Sequence, residues 1–404
     1  MKLALSVTSK YKPVIFILLL SLLSACGGSN NSSDRADDAS NSTLSPQAAL
    51  GEQIFKDQNL SASGKMSCAS CHNPDHAHAQ TNTLAVQFGG ARLDVAGFRA
   101  VPSLRYLNLT PAFYFSKEGT PTGGFTHDGR ADTLSIQAAR PFLAPHEMAN
   151  KDKAEVITKL LSRPYASAFR AVYGTNIFSN AEDAFDRVLF SLQQYQLEDP
   201  EFHPYDSKYD QFLAGKISLS DAEMRGLALF NNPQKGNCAA CHTSSKAKDG
   251  SSPLFTDLTF DNLGVPRNYA IPATLDANYF DLGLCGPDRL DLSDRVDLCG
   301  KFKVPTLRNV ATRKVFFHNG RFDNLRDVLG FYVRRDTNPE EWYPIAANGQ
   351  VLQFNDLPSA YASNVNTKEV PYNRKRGMSA ALSKEEIEDV IQFLGTLNDG
   401  YRAK

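Results

Sequence analysis

The sequence predicts a mainly α protein of two domains related by internal duplication, with long loops and little β structure. Three observations predict it. Helix-start signals recur at Ser45, Ser220 and Ser383. Almost no stretch shows the apolar–polar alternation of a half-buried strand. A set of short motifs occurs twice in the same order, the mark of a repeated unit. At 404 residues the chain can hold two or three domains, each burying its own core. Its 43 basic and 44 acidic residues leave no net field or charge block that would draw nucleic acid or an anionic membrane surface.

Residues 1–25 read as an address rather than as part of the fold. Lys2, Lys10 and Lys12 precede an apolar run from Val14 to Leu23, which ends in Leu23-Ser24-Ala25-Cys26. About ten apolar residues fall well short of the ~20 needed to cross a bilayer. The pattern resembles a bacterial lipoprotein signal, which implies cleavage before Cys26 and acylation of its thiol. Gly27, Gly28 and Ser29 follow, without the Asp that directs retention at the inner membrane. The expected location is therefore the periplasmic side of the outer membrane, with a lipid anchor on Cys26. From 26 to 44 the chain is rich in Ser, Asn, Asp and Gly, too polar to offset the entropy of ordering, and reads as a flexible tether.

The first domain, 45–210, opens with Ser45 as N-cap and Pro46 at the first helical position. Leu50, Ile54 and Phe55 form a helical stripe leading to Cys68-Ala69-Ser70-Cys71-His72. The second domain, 211–404, opens the same way. Ser220 and Glu223 make a capping box, and Met224, Leu227 and Phe230 lead to Cys238-Ala239-Ala240-Cys241-His242. Ser383 and Glu386 announce a last helix whose buried face is Ile387, Val390, Ile391, Leu394 and Leu397. Between these points, Pro102-Ser103-Leu104-Arg105 and Phe125-Thr126-His127-Asp128-Gly129-Arg130 in the first half match Pro305-Thr306-Leu307-Arg308 and Phe316-Phe317-His318-Asn319-Gly320-Arg321 in the second.

Two thiols three positions apart can add to the two vinyl groups of one haem, and the adjacent His then reaches the iron. A zinc ribbon and a thioredoxin-like redox pair are the competing chemistries, but the two Cys pairs lie far apart in the chain and neither sits in a strand–helix–strand context. Each half is thus expected to be a c-type cytochrome domain with one covalently bound haem. The seven cysteines then divide without remainder. Cys26 takes lipid, Cys68, Cys71, Cys238 and Cys241 take haem, and Cys285 and Cys299 are left to pair in an oxidising compartment.

What each iron does depends on its sixth position. Fourteen residues beyond His127 stands Pro141, and fourteen beyond His318 stands Tyr332. Proline offers iron no donor atom, whereas a phenolate is an established ligand. The expectation is an open, reactive haem on His72 and a closed one on His242 beneath Tyr332; the alternative for Tyr332 is an aromatic packed beside Phe331. An open peroxide site needs a group that moves a proton between the two oxygens. Glu147 is the first candidate and His146 the second, while the alternative for Glu147 is an exposed carboxylate at a helix start. His76 and His78 read as surface or haem-edge residues, with iron ligation the alternative. Arg130 and Arg321 can pair with haem propionates or make caps and surface salt bridges.

These residues together resemble the bacterial dihaem cytochrome c peroxidase and MauG family, from about Gly51 to Leu397. The signatures are the two Cys-x-x-Cys-His motifs, Asp128-Gly129-Arg130-Ala131, Pro141 with Glu147-Met148, Lys303-Val304-Pro305-Thr306-Leu307-Arg308-Asn309 and Phe317-His318-Asn319-Gly320. The resemblance implies a peroxide-reactive N-terminal haem and an electron-transferring C-terminal haem. It places Pro141 and Glu147 in the distal pocket, and makes Tyr332 the axial ligand of a MauG-like branch where peroxidases carry Met. Hydrogen peroxide is the implied substrate, and a small periplasmic redox protein or a residue of a partner protein the implied electron source. Two positions depart from the family. His127 stands where the family has a Trp between its haems. Tyr106 stands where it has an Asn ligand for an inter-haem calcium ion, which wants oxygen donors. A dihaem oxidoreductase and a non-catalytic dihaem electron-transfer cytochrome are the two functions to separate.

Overall fold

Helix starts are set by side chains that satisfy the backbone N–H groups left open in a first turn. The computed structural model describes residues 44–403, so the address segment, Cys26 and all of the expected tether except Leu44 lie outside the described residues. In chain order the helices are α1 (Pro46–Lys56), α2 (Cys68–Cys71), α3 (Leu134–Leu143), α4 (Lys153–Leu161), α5 (Ala166–Tyr173), α6 (Ala181–Glu198), α7 (Lys208–Leu213), α8 (Asp221–Asn231), α9 (Leu325–Arg334) and α10 (Lys384–Gly395). Ser45 caps α1 by accepting from the Ala48 N–H at 3.2 Å, and Ser220–Glu223 and Ser383–Glu386 form capping boxes on α8 and α10. Thr133 and Asn324 cap α3 and α9. Among the described residues the named strands are three antiparallel pairs, each strand two residues long. This is the mainly helical, loop-rich architecture expected.

Two apolar cores form. The first gathers Phe55, Phe142, Phe169, Phe185 and Tyr195 from α1, α3, α5 and α6. The second gathers Phe230, Phe331, Val390 and Phe393 from α8, α9 and α10, with Phe255 from a loop. The same device builds both. Where α1 crosses α6, a Cβ on Gly51 would stand 2.0 Å from the Ser191 carbonyl oxygen; where α8 crosses α10, a Cβ on Gly226 would stand 2.0 Å from that of Asp389. Only glycine lets these backbones approach so closely. Four residues on, Phe55 meets Tyr195 at 5.5 Å and Phe230 meets Phe393 at 5.1 Å between ring centroids.

Buried polar links join the halves. Arg105 and Tyr106 from the first and Asn309 from the second all donate to the carboxylate of Asp399, just beyond α10. Cys285 and Cys299 are disulfide-bonded. The loop they close carries Asp288, which pairs with Arg140 of α3.

Candidate functional site

In each half a helical turn delivers the histidine. The His72 N–H closes α2 onto the Cys68 carbonyl at 2.8 Å, and the His242 N–H repeats this on Cys238 at 2.8 Å. The His72 ring nitrogen Nδ1 donates to the His78 carbonyl at 3.2 Å, and that of His242 to the Phe255 carbonyl at 2.8 Å. A proton committed to Nδ1 leaves the Nε2 lone pair for a metal. The accepting turns are themselves held: Ser103 Oγ donates to the Ala77 carbonyl and Thr306 Oγ1 to the Leu254 carbonyl, both at 2.6 Å. The repeated Pro-Ser/Thr-Leu-Arg motif therefore braces the proximal histidine.

One cavity of about 680 Å³ reaches both motifs, and its walls include Cys68, Cys71, His72, Cys238, Cys241 and His242. The four thiols are free, and burial pushes Cys68 and Cys238 up to about 12 and Cys71 up to about 11. Lys303 and Arg313 also line the cavity. Neither forms a salt bridge among the described residues, and burial pulls Lys303 down to about 8 and Arg313 down to about 10. Desolvated cations without acid partners call for anions, which haem propionates would supply. Two thiols and one imidazole per motif, with unpaired cations beside them, fit two covalently held haems.

The helices α3 and α9 line the cavity at matching positions. Pro141 and Tyr332 are each the eighth residue of their helix, and both line the cavity. Tyr332 stacks on Phe317 at 5.8 Å and lies 6.0 Å from Tyr372. Burial raises its phenol above the usual value, and the two cysteines of the second motif come next among the causes. Glu147 lines the first part of the cavity, its Oε2 buried without a hydrogen-bond partner. Burial raises its carboxyl, while Arg140 and Arg130 pull the other way. His146 packs on Phe98 at 4.8 Å. His127 Nε2 donates to the Ala100 carbonyl at 2.9 Å, and the Ala100 N–H donates to the His318 carbonyl at 2.7 Å. His318 stacks on Phe302 at 3.5 Å. Burial pulls His127 down to about 4 and His318 to about 3, so both rings are neutral at neutral pH.

Some expectations need correction. His78 is not a surface or haem-edge residue. It is fully buried, stacked on Phe202 at 3.9 Å, and neither it nor His76 lines the cavity. Its place is that of Phe255 in the second half, since both carbonyls hold a proximal histidine, and an aromatic pocket rather than water surrounds it. Arg130 lines the cavity but is tied to Asp128 at 2.7 Å, and Arg321 is exposed over Phe322, off the cavity. Tyr106 commits its hydroxyl to Asp399. Trp342, the chain's one tryptophan, packs on Phe322 and Phe331 away from the cavity. The sequence reading missed Lys303, Arg313, Arg140 and Gln137 as cavity residues. Two had a signal: Gln137 lies one helical turn before Pro141 and so on the same face, and Lys303 opens the Lys303–Asn309 signature.

A family model described as di-haem cytochrome c peroxidase matches residues 45–218. The methylamine utilization protein MauG of Paracoccus denitrificans is 37% identical over 320 residues, 78% of this chain and 79% of that protein. The cytochrome c551 peroxidase of Nitrosomonas europaea is 29% identical over 297 residues, 72% of this chain and 74% of that protein. The crystal structure of the diheme peroxidase BthA from Burkholderia thailandensis superposes with a TM-score of 0.81 at 38% identity, covering 89% of this chain and 87% of that one.

Proposed function

This chain belongs to the dihaem cytochrome c peroxidase and MauG family, peroxidase-type oxidoreductases with two c-type haems, and from that premise we propose a division of labour between its halves. Hydrogen peroxide, the substrate this membership implies, reacts in the first half, and the second half draws electrons from outside. When bound, each haem would supply an iron that changes oxidation state. In the first half His72 would hold the group, and Pro141, which also lines the cavity, has no donor atom to offer it. Glu147 takes the proton from one peroxide oxygen and returns it to the other, which leaves as water. In the second half His242 and Tyr332 both line the cavity and would both be available to hold the group there, a set of donors suited to passing electrons. His127, tied to Ala100, stands where the family has its Trp, and its imidazole is a poorer carrier of positive charge than an indole.

The observation that carries this reading is the pairing of Pro141 with Tyr332 at one helix position, with the unpartnered Glu147 beside the proline only. The electron source is a small periplasmic redox protein or a residue of a partner protein, and Tyr332 favours the second, MauG-like case. A lipid on Cys26 holds the body at the periplasmic side of the outer membrane; incorporation of labelled fatty acid, abolished by Cys26→Ala, checks that anchor. The function is tested spectroscopically. The ferric holoprotein should show one high-spin and one low-spin haem, and peroxide should change the spectrum. Low-spin haem alone in both the as-isolated and half-reduced forms, inert to peroxide, would make this an electron-transfer cytochrome instead.

A further inference from the structure

The pocket around Glu147 is not made by the first half alone. Arg140, the residue before Pro141 on α3, is held by both oxygens of Asp288 at 2.6 and 2.9 Å, and Asp288 also lies 3.4 Å from Arg130. Alongside, Asp281 holds Arg99 at 2.6 and 2.7 Å, and Arg289 donates to the Asp128 carbonyl at 2.9 Å. Asp288 and Arg289 lie within the loop closed by Cys285 and Cys299. Asp288, Arg140 and Glu147 all line the same cavity.

Glu147 has one buried oxygen without a hydrogen-bond partner, so burial and neighbouring charges govern its affinity for a proton. Burial comes first and raises it; Arg140 on α3 and Arg130 on the preceding turn lower it, and Asp288 raises it. His146, beside it in sequence, is lowered by burial and by Arg140 and Arg130, with Asp288 opposing them. The thiols Cys68 and Cys71 on α2 are uncharged. Without Asp288, the charge of Arg140, which lines the same cavity, would act on Glu147 uncompensated, favouring its carboxylate and blunting it as a proton carrier.

We propose that Asp288, presented by the disulfide-closed loop of the second half, is a positioning residue of the peroxide site that anchors Arg140 and cancels its charge beside Glu147. This rests on the proton-carrying role given to Glu147 above. The second half thereby has a hand in the first half's chemistry without touching peroxide.

The test is the pH profile of the holoprotein's reaction with hydrogen peroxide, followed by absorbance. Ionised Glu147 is the active form, so the rate rises with pH through its titration. Asp288→Asn should move that limb to lower pH by roughly one unit and lower the plateau. Arg140→Gln should move it to higher pH, and the double variant should return it near the original position. Replacing both Cys285 and Cys299 by Ser should move it in the direction of Asp288→Asn. An Asp288→Asn profile unmoved in a protein with both haems in place overturns the proposal, as does a double variant that stays at the Asp288→Asn position. An unmoved profile in the cysteine variant overturns the part given to the loop. Glu147→Gln separates the two levels: if it leaves the peroxide reaction intact, the role of Glu147 fails, whereas if it slows the reaction and Asp288→Asn moves nothing, only this inference fails.

Discussion

Around Pro141 the cavity is lined with charge, Glu147, Arg140 and Arg130 from the first half and Asp288 from the second. The second half surrounds Tyr332 with rings: Phe317, Phe331 and Tyr372 pack against it. Behind the proximal histidines the halves are alike, down to the carbonyl that takes each Nδ1 proton and the hydroxyl that braces the turn. A duplicated scaffold can hold the same cofactor twice by one recipe, because attachment and tautomer demand fixed geometry. The opposite face carries no such demand, so that is where the halves diverge.

The sharpest way to break this contrast is Glu147→Gln. Loss of a general acid–base group should slow the peroxide reaction by about 10²–10⁴-fold, while Tyr332→Phe should leave the first-half reaction with peroxide nearly unchanged; equal losses in stopped-flow traces would erase the division of labour. Next comes the ligand itself. Tyr332→Met should raise the potential of the second haem and alter its spectrum, and a spectroelectrochemical titration that shows neither would remove Tyr332 from the iron.

Smaller effects test the shared scaffold. Gly51→Ala and Gly226→Ala each push a methyl into a carbonyl across a helix crossing and should each cost about 1–3 kcal/mol by overpacking. Similar losses in denaturant unfolding would sharpen the equivalence of the two crossings, and a large loss in one alone would break it. The gentlest effect is on pH. His127 and His318 have folded values of about 4 and about 3, below the about 6.5 of an unfolded histidine. Between these values the unfolded chain binds the extra protons, so their contribution is present in full above about pH 6.5 and is lost as the pH falls through that window. The Tm of the holoprotein should drop there, and His318→Gln should flatten the drop; a slope that survives that substitution unchanged would acquit His318.

Much of this was legible beforehand because it depends on neighbours in sequence. Ser45, Ser220 and Ser383 start helices by bonding N–H groups a few residues on, and the structure puts α1, α8 and α10 there. Pro141 and Tyr332 could be matched by counting because both follow a turn closed by the same bridge, Phe125 to Ala131 and Phe316 to Phe322. His78 was misread because its polar neighbours suggested exposure, whereas Phe55 and Phe202 enclose it from elsewhere in the chain.

By itself, then, the sequence determined the two Cys-x-x-Cys-His motifs, the duplication and the unlike residues 141 and 332 at matching positions, all carried by short motifs whose chemistry is local. Only the tertiary structure decided that one cavity serves both motifs, that Lys303 and Arg313 stand in it without acid partners, and that Asp288 reaches Arg140. Burial and long-range charge pairing are properties of the packed chain, and residues 148 positions apart carry no mark in sequence that they will meet.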